Sequence, residues 1–272
     1  MIKDIVVHLD GTERDEDRLA HAELMATSFD AHLLGLFTNL IEIGYIAADP
    51  VGASVEIVAG AIEEARNAGD VTEARLRARL QQLSCLNELR RFDGTDGELR
   101  EHAAAAARTS DIFVVSRPLG SDEQMWPGLF QAALFSGGRS VYVVPPSVAP
   151  KPIRTVVVGW RDSREATRAL YEAMPILKQA ERVILASVGD EHRFAENADI
   201  ARHLARHGVA FELKELAAKD RVSEVLLDEC AESGADLLVI GAYGHSRFWE
   251  WVLGGTTRNI LTISAVPVLL AH

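Results

Sequence analysis

The chain has 272 residues, 48% of them hydrophobic and 25% charged, and a net charge of −12. That length exceeds one ordinary domain and suffices for two of about 130–150 residues, while the acidic balance disfavours non-specific binding to nucleic acid and attachment to anionic membranes, both of which need a basic surface. No run approaches the roughly 18 apolar residues of a membrane span. Residues 1–4 lead into a strand rather than a signal peptide, and Cys85 and Cys230 lie in helical patterns without metal-type spacing, so a reducing cytoplasm is expected.

In chain order, the β-branched run at 5–9 predicts a first strand, ending on Asp10-Gly11-Thr12. A helix is expected over 16–28 and a strand over 32–37; the uneven stretch 38–58, with its glycines and Asp49-Pro50, predicts a long loop or lid. A long helix rich in Ala, Glu and Arg follows over 59–83, then a strand over 86–92, a helix over 96–107 and a strand over 111–115. Residues 116–126 read as irregular, before a short helix near 128–136 and a strand over 141–144. Alternation at these lengths predicts a parallel sheet with helices on both faces. Four prolines within 145–152 cannot continue a helix or a central strand, so this stretch reads as a linker.

After it the pattern restarts, with strands over 155–159, 183–188, 211–216, 237–240 and 266–270 and helices over 164–179, 194–207 and 222–233, and another helix running through 258–263. An offset of 151 residues aligns Ile5 with Val156, and one of 125 aligns Asp111 with Asp236. Two copies of one fold are therefore expected, at 1–146 and 153–272 around a linker at 147–152. About 26 extra residues fall in the first copy, most simply within 38–75.

The candidate site lies near the end of the chain. The apolar run Leu237-Leu238-Val239-Ile240 stops on Gly241-Ala242-Tyr243-Gly244, and after nine intervening residues come Gly254-Gly255-Thr256-Thr257 and a helical pattern. Glycines after a parallel strand let backbone N–H groups approach an anion, and a helix start leaves free N–H donors, so the stretch reads as a phosphate cradle. The structural alternative is a tight turn followed by an ordinary helix start.

This spacing, in its strand–loop–helix–strand setting, resembles the nucleotide-binding signature of the universal stress protein family, and the repeat resembles its tandem members. The resemblance implies two five-stranded parallel α/β sandwiches, flavodoxin-like or adenine nucleotide alpha hydrolase-like, that pair through their last strands. It makes ATP, with Mg²⁺, the candidate cofactor, held by Gly241, Gly244, His245, Gly254, Gly255, Thr256, Thr257 and Val188; solvent exposure is the other reading of His245. Two departures stand out: Gly255 replaces the usual Ser or Thr, and Arg161 aligns with Asp10, the position whose carboxylate holds the adenosine side in the family. In the first copy Ser116-Arg117-Pro118-Leu119 stands where the second has Gly241 to Gly244, so that cradle is expected to be lost, and Asp10 is read chiefly as a turn and helix-capping residue.

The function these features imply is a nucleotide-binding stress-response sensor, working through its second domain and a protein partner. A scaffold of the same fold that binds no nucleotide is the alternative, and slow ATP hydrolysis a third reading, because no nucleophile or base can be assembled from the spacing. No catalytic residue and no metal site is expected. His203 and His207 have a helical i, i+4 spacing without a third ligand, and Phe248, Trp249 and Trp251 read as packing or interface. A homodimer stays open.

Overall fold

The computed structural model describes residues 1–42, 55–119, 126–189, 194–218, 221–242 and 255–272. Its first part runs β1 (Asp4–Leu9), α1 (Arg14–Phe29), β2 (His32–Leu40), α2 (Val55–Leu80), β3 (Asn87–Gly94), α3 (Asp96–Arg108), β4 (Ile112–Ser116), α4 (Pro127–Gln131) with a π-helical continuation (Ala132–Ser136), and β5 (Ser140–Val144). The second runs β6 (Thr155–Gly159), α5 (Arg164–Leu177), β7 (Arg182–Val188), α6 (Phe194–Arg206), β8 (Glu212–Leu216), α7 (Val222–Ser233), β9 (Leu237–Gly241), α8 (Gly255–Ile263) and β10 (Val268–Ala271).

The ten strands among the described residues join one sheet, in the order β3-β2-β1-β4-β5-β10-β9-β6-β7-β8. Pairing is parallel within each five-strand half; between the halves β5 meets β10 antiparallel, with Val143 opposite Val268, Tyr142 opposite Leu269 and Val141 opposite Leu270. The expected pairing through last strands is therefore present. Because side chains alternate across a strand, each face has its own core. Ile5, Val7, Val156, Val158, Leu237 and Val239 pack with α1, α2, α5 and α6. Val6, Val157, Leu238 and Ile240 face the opposite way, toward α3, α4, α7 and α8. Both cores run without interruption across the β5–β10 seam.

The repeat is visible in its details. Asp111 accepts the backbone N–H groups of Lys3 and Asp4 at 2.7 and 3.1 Å, and Asp236 accepts those of Arg154 and Thr155, both at 2.8 Å. Each carboxylate ties the start of its half's first strand to the fourth.

Part of the extra length in the first half is α2, 26 residues against 13 in α6. The loop expected over 38–58 is corrected at both ends: β2 continues to Leu40 and α2 begins at Val55, while residues 43–54 lie outside the described residues. The last strand starts at Val268 rather than 266, since Pro267 has no N–H for the ladder. Among the described residues no helix is long and apolar enough to cross a membrane.

Leu269 is fully buried at the seam. Replacing it by alanine should lower the free energy of unfolding by about 2–5 kcal/mol, the usual cost of such a core cavity; urea titration followed by circular dichroism measures it.

Candidate functional site

In a parallel α/β half the strands end at one edge of the sheet and the following helices begin there, so strand ends and helix N-termini converge at the carboxyl edge. In the amino-terminal half a buried charged cluster fills this edge. Arg18 of α1, 1% exposed, sends Nη2 to Asp10 Oδ1 at 2.6 Å and to Asp15 Oδ1 at 2.5 Å. Its Nη1 donates to His8 Nδ1 at 3.2 Å, which places the histidine proton on Nε2, donating to Thr38 Oγ1 at 2.7 Å. Asp10 Oδ1 also accepts the Thr12 hydroxyl at 2.7 Å, and Oδ2 accepts the Trp126 indole N–H at 3.0 Å. Asp15 accepts the backbone N–H groups of Asp10 and Gly11 at 3.0 and 2.9 Å. Trp126 stands edge-on to the His8 ring, 5.6 Å between centroids.

The titration behaviour follows from this packing. Burial, reinforced by the neighbouring guanidinium, lowers the His8 pKa to about 3, so the ring is neutral. Burial works to raise Asp10, but the charge of Arg18 and the hydrogen bonds from Arg18 and Thr12 outweigh it and hold the group well below the ordinary carboxylate range. Asp15 moves the other way, to about 6, because burial and the charge of Asp10 exceed the help it receives from Arg18. Two carboxylates share one guanidinium, and the charge left uncompensated falls on Asp15. Asp10 is thus spent inside the protein, in keeping with its turn role. Arg18, His8, Asp15, Thr38 and Trp126 escape a reading by motif; the available signal is that Arg18 interrupts the otherwise apolar stripe of α1 with Ala22, Met25 and Ala26.

The corresponding edge of the second half differs. β6 ends at Gly159, Trp160 is buried, and Arg161 and Asp162 are exposed. Ser163 caps α5, its hydroxyl accepting the Ala166 N–H at 3.2 Å. Val188 ends β7, half-buried, and Gly241 ends β9. A Cβ on Gly241 would lie 2.5 Å from the Ala166 nitrogen, so the first turn of α5 lying on this strand end already requires glycine. α8 runs back antiparallel to β9, which puts its N-terminus at the same edge. Gly255 is exposed there, and a Cβ on it would meet nothing within 4 Å; Thr256 is half-buried and Thr257 buried. The structure thus brings Val188, Gly241, Gly255, Thr256 and Thr257 to one edge with Arg161. Gly244, His245 and Gly254 lie outside the described residues, as do Phe248, Trp249 and Trp251.

Residues 152–272 match the model of the Universal stress protein family. This half is a universal stress protein domain. Structural comparison extends the likeness of fold over both halves. The chain resembles a universal stress protein from Archaeoglobus fulgidus DSM 4304 with a TM-score of 0.76 at 16% identity, covering 98% of this chain and 95% of that one. It also resembles a functionally unknown protein from Pseudomonas aeruginosa PAO1, with a TM-score of 0.59 at 13% identity over 99% of this chain and 92% of that one. A search of curated proteins finds no match.

Two other features stand apart from the strand ends. The His203 and His207 rings lie 4.5 Å apart, but among the described residues no group of three or more His, Cys, Asp or Glu is placed to hold a metal ion. A cleft of about 240 Å³ opens between α1 and residues 151–154, lined by Leu24, Met25, Phe29, Ile153 and Ile176 among others, and shares no residue with either edge cluster.

Arg18→Met leaves two buried carboxylates without their cation and should lower stability at pH 7 by about 3–5 kcal/mol in urea unfolding. The Asp15 pKa is raised above its unfolded value of about 3.9, so its contribution to stability is full below pH 4 and is lost as the pH rises through about 6. Asp15→Asn should lack that decline, an effect of about 2–3 kcal/mol between pH 4 and pH 7; unfolding free energies of the two proteins at both pH values test it.

Proposed function

We propose that the chain is a tandem protein of two domains, 1–146 and 153–272 joined at 147–152, in which the second binds ATP or a related nucleotide and relays that state to a protein partner in the cytoplasm. The observation that carries the reading is the contrast between the two carboxyl edges. In the first half Arg18, Asp10 and Trp126 occupy the space with their own bonds. In the second, the half that matches the family, α8 begins on an exposed glycine with room around it, and its first N–H groups are donors suited to phosphate oxygens. The glycine spacing from Gly241 to Gly255 supports the same assignment. Mg²⁺ would arrive with the nucleotide, since the described residues supply no acidic cluster of their own for it.

One observation favours a second reading, a scaffold that binds no nucleotide: the exposed side chain at the position of Asp10 is Arg161, a cation where the family has a carboxylate. Slow ATP hydrolysis stays third, since no residue among those described is placed as a base.

Isothermal titration with Mg²⁺ and ATP separates these. Saturable binding at millimolar nucleotide or below is expected, whereas its absence hands the case to the scaffold. Gly244→Val should abolish binding while leaving the circular dichroism unchanged. Gly255→Ser adds a hydroxyl where a Cβ has space and should bind at least as tightly as the wild type; weaker binding would move the phosphates away from α8.

A further inference from the structure

We propose that Arg117 is a positioning residue for the nucleotide site of the opposite half, holding α8 by its carboxyl end. The proposal rests on the nucleotide reading above and adds to it a connection between the halves.

Arg117 follows β4 directly, at the repeat position of Ala242, where the first half lacks the glycine loop. Its backbone is fixed, because the Arg117 N–H donates to the Val144 carbonyl at 3.0 Å and Pro118 behind it restricts the residue to extended conformations. Its side chain leaves its own half. Nη1 donates to the Thr262 carbonyl at 2.8 Å, and Nη2 donates to the Ser264 carbonyl. These acceptors lie at the end of α8, where unsatisfied carbonyls concentrate the negative end of the helix dipole. α8 has no basic residue in its own last turn. The first half supplies the cation that the helix lacks.

The reach follows from topology. Since β5 and β10 are antiparallel, the carboxyl edge of one half is the amino edge of the other. A residue at the lost cradle of the first half therefore stands beside the far end of the helix whose N-terminus opens the second cradle. α8 has nine residues and is about 13 Å long. It is held laterally by buried Ile260 and Leu261 and by a 2.8 Å bond from Asn259 to Ser223 in α7. Arg117 anchors it along its axis, so a shift at this end is passed to the N–H groups at the other. In the reciprocal direction the contact comes from another element: Arg168 of α5 donates Nη2 to the Gly138 carbonyl at 2.8 Å, the His272 ring stands edge-on to Phe135 at 4.9 Å, and Ala242, the repeat counterpart of Arg117, offers only a methyl group. What is one-sided is the residue after the fourth strand: Arg117 reaches from the first half to the end of α8, and its counterpart Ala242 carries no guanidinium to reach back.

The test compares wild type, Arg117→Ala and Arg117→Lys by titration with Mg²⁺ and ATP, by thermal melting without nucleotide, and by amide hydrogen exchange. Arg117→Ala should bind ATP at least about fivefold more weakly, and the amides of 258–263 should exchange faster while those of 237–241 do not. Arg117→Lys keeps the charge but reaches one carbonyl, so its affinity should fall between the other two. A lower melting temperature in Arg117→Ala with unchanged ATP affinity makes the residue merely structural and overturns the proposal. Equal affinity in all three proteins overturns it as well. A wild type that binds no ATP removes the nucleotide reading and this proposal with it, an outcome distinct from the other two because it is seen before any variant is made.

Discussion

The antiparallel pairing of β5 with β10 is the constraint on which the rest of the molecule depends. Each half by itself would end in a strand of four or five residues with an unpaired edge, a liability that proteins ordinarily cover. Here each half covers the other, and the cores on the two faces of the sheet become continuous. The outermost strands are guarded differently. β3 presents Glu88, Arg90, Arg91 and Asp93, and β8 presents Glu212, Lys214 and Glu215, so charge discourages further pairing at either end of the sheet. The seam also sets the two carboxyl edges on opposite sides of the molecule. What happens at one edge meets the other half at its amino edge, among helix C-termini rather than N-termini.

The two halves fill the same edge differently. Arg18 is a buried cation that would be costly alone; two carboxylates and a histidine nitrogen accept from its Nη atoms, Trp126 donates to one of those carboxylates, and only the Arg18 Nε is left without a partner. Such a network specifies one arrangement, because removing Arg18 would strand two buried carboxylates. In the second half the equivalent of Asp10 is exposed Arg161, and the equivalent of His8 is Gly159, whose missing side chain leaves Ile240 and Leu226 to close over the strand. Among the described residues, the buried charge that fills one edge has no counterpart at the other.

Much of the fold is legible in the sequence because strands buried on both faces write themselves as unbroken β-branched runs, such as Val156-Val157-Val158, and because the prolines between 145 and 152 mark the restart of the pattern. Periodicity loses the ends of elements: β2 runs on through Thr38 to Leu40, which a polar Thr-Asn pair disguises as loop. Of the site, the glycine spacing could be read, since glycine has few uses after a parallel strand. The need for Gly241 to admit α5 could not, because the contact with Ala166 spans 75 residues of chain and depends on how a helix lies on a strand end. The Arg18 cluster was hidden for the same reason. His8, Asp10 and Arg18 are near one another in sequence, but Thr38 and Trp126 join them only through the order of strands in the sheet.

A tandem chain with one cradle differs in principle from a pair of identical domains. With two equal sites, ligand binding reports only concentration. With one, the other half is free to become an input, provided that some element answers to both. α8 has the geometry for that: its N-terminus lies at the edge where the second half would hold phosphate, and its C-terminus lies under a side chain rooted in the first half. Linkage then works in both directions. If the second half holds nucleotide as proposed, whatever moves Arg117 would alter the affinity at the cradle, and nucleotide at the cradle would alter Arg117 by the same free energy. The first half's departure from the glycine loop is, on this proposal, what gave it a residue to hold the helix with: where the second half has Ala242, the first has Arg117, whose side chain crosses to the end of α8.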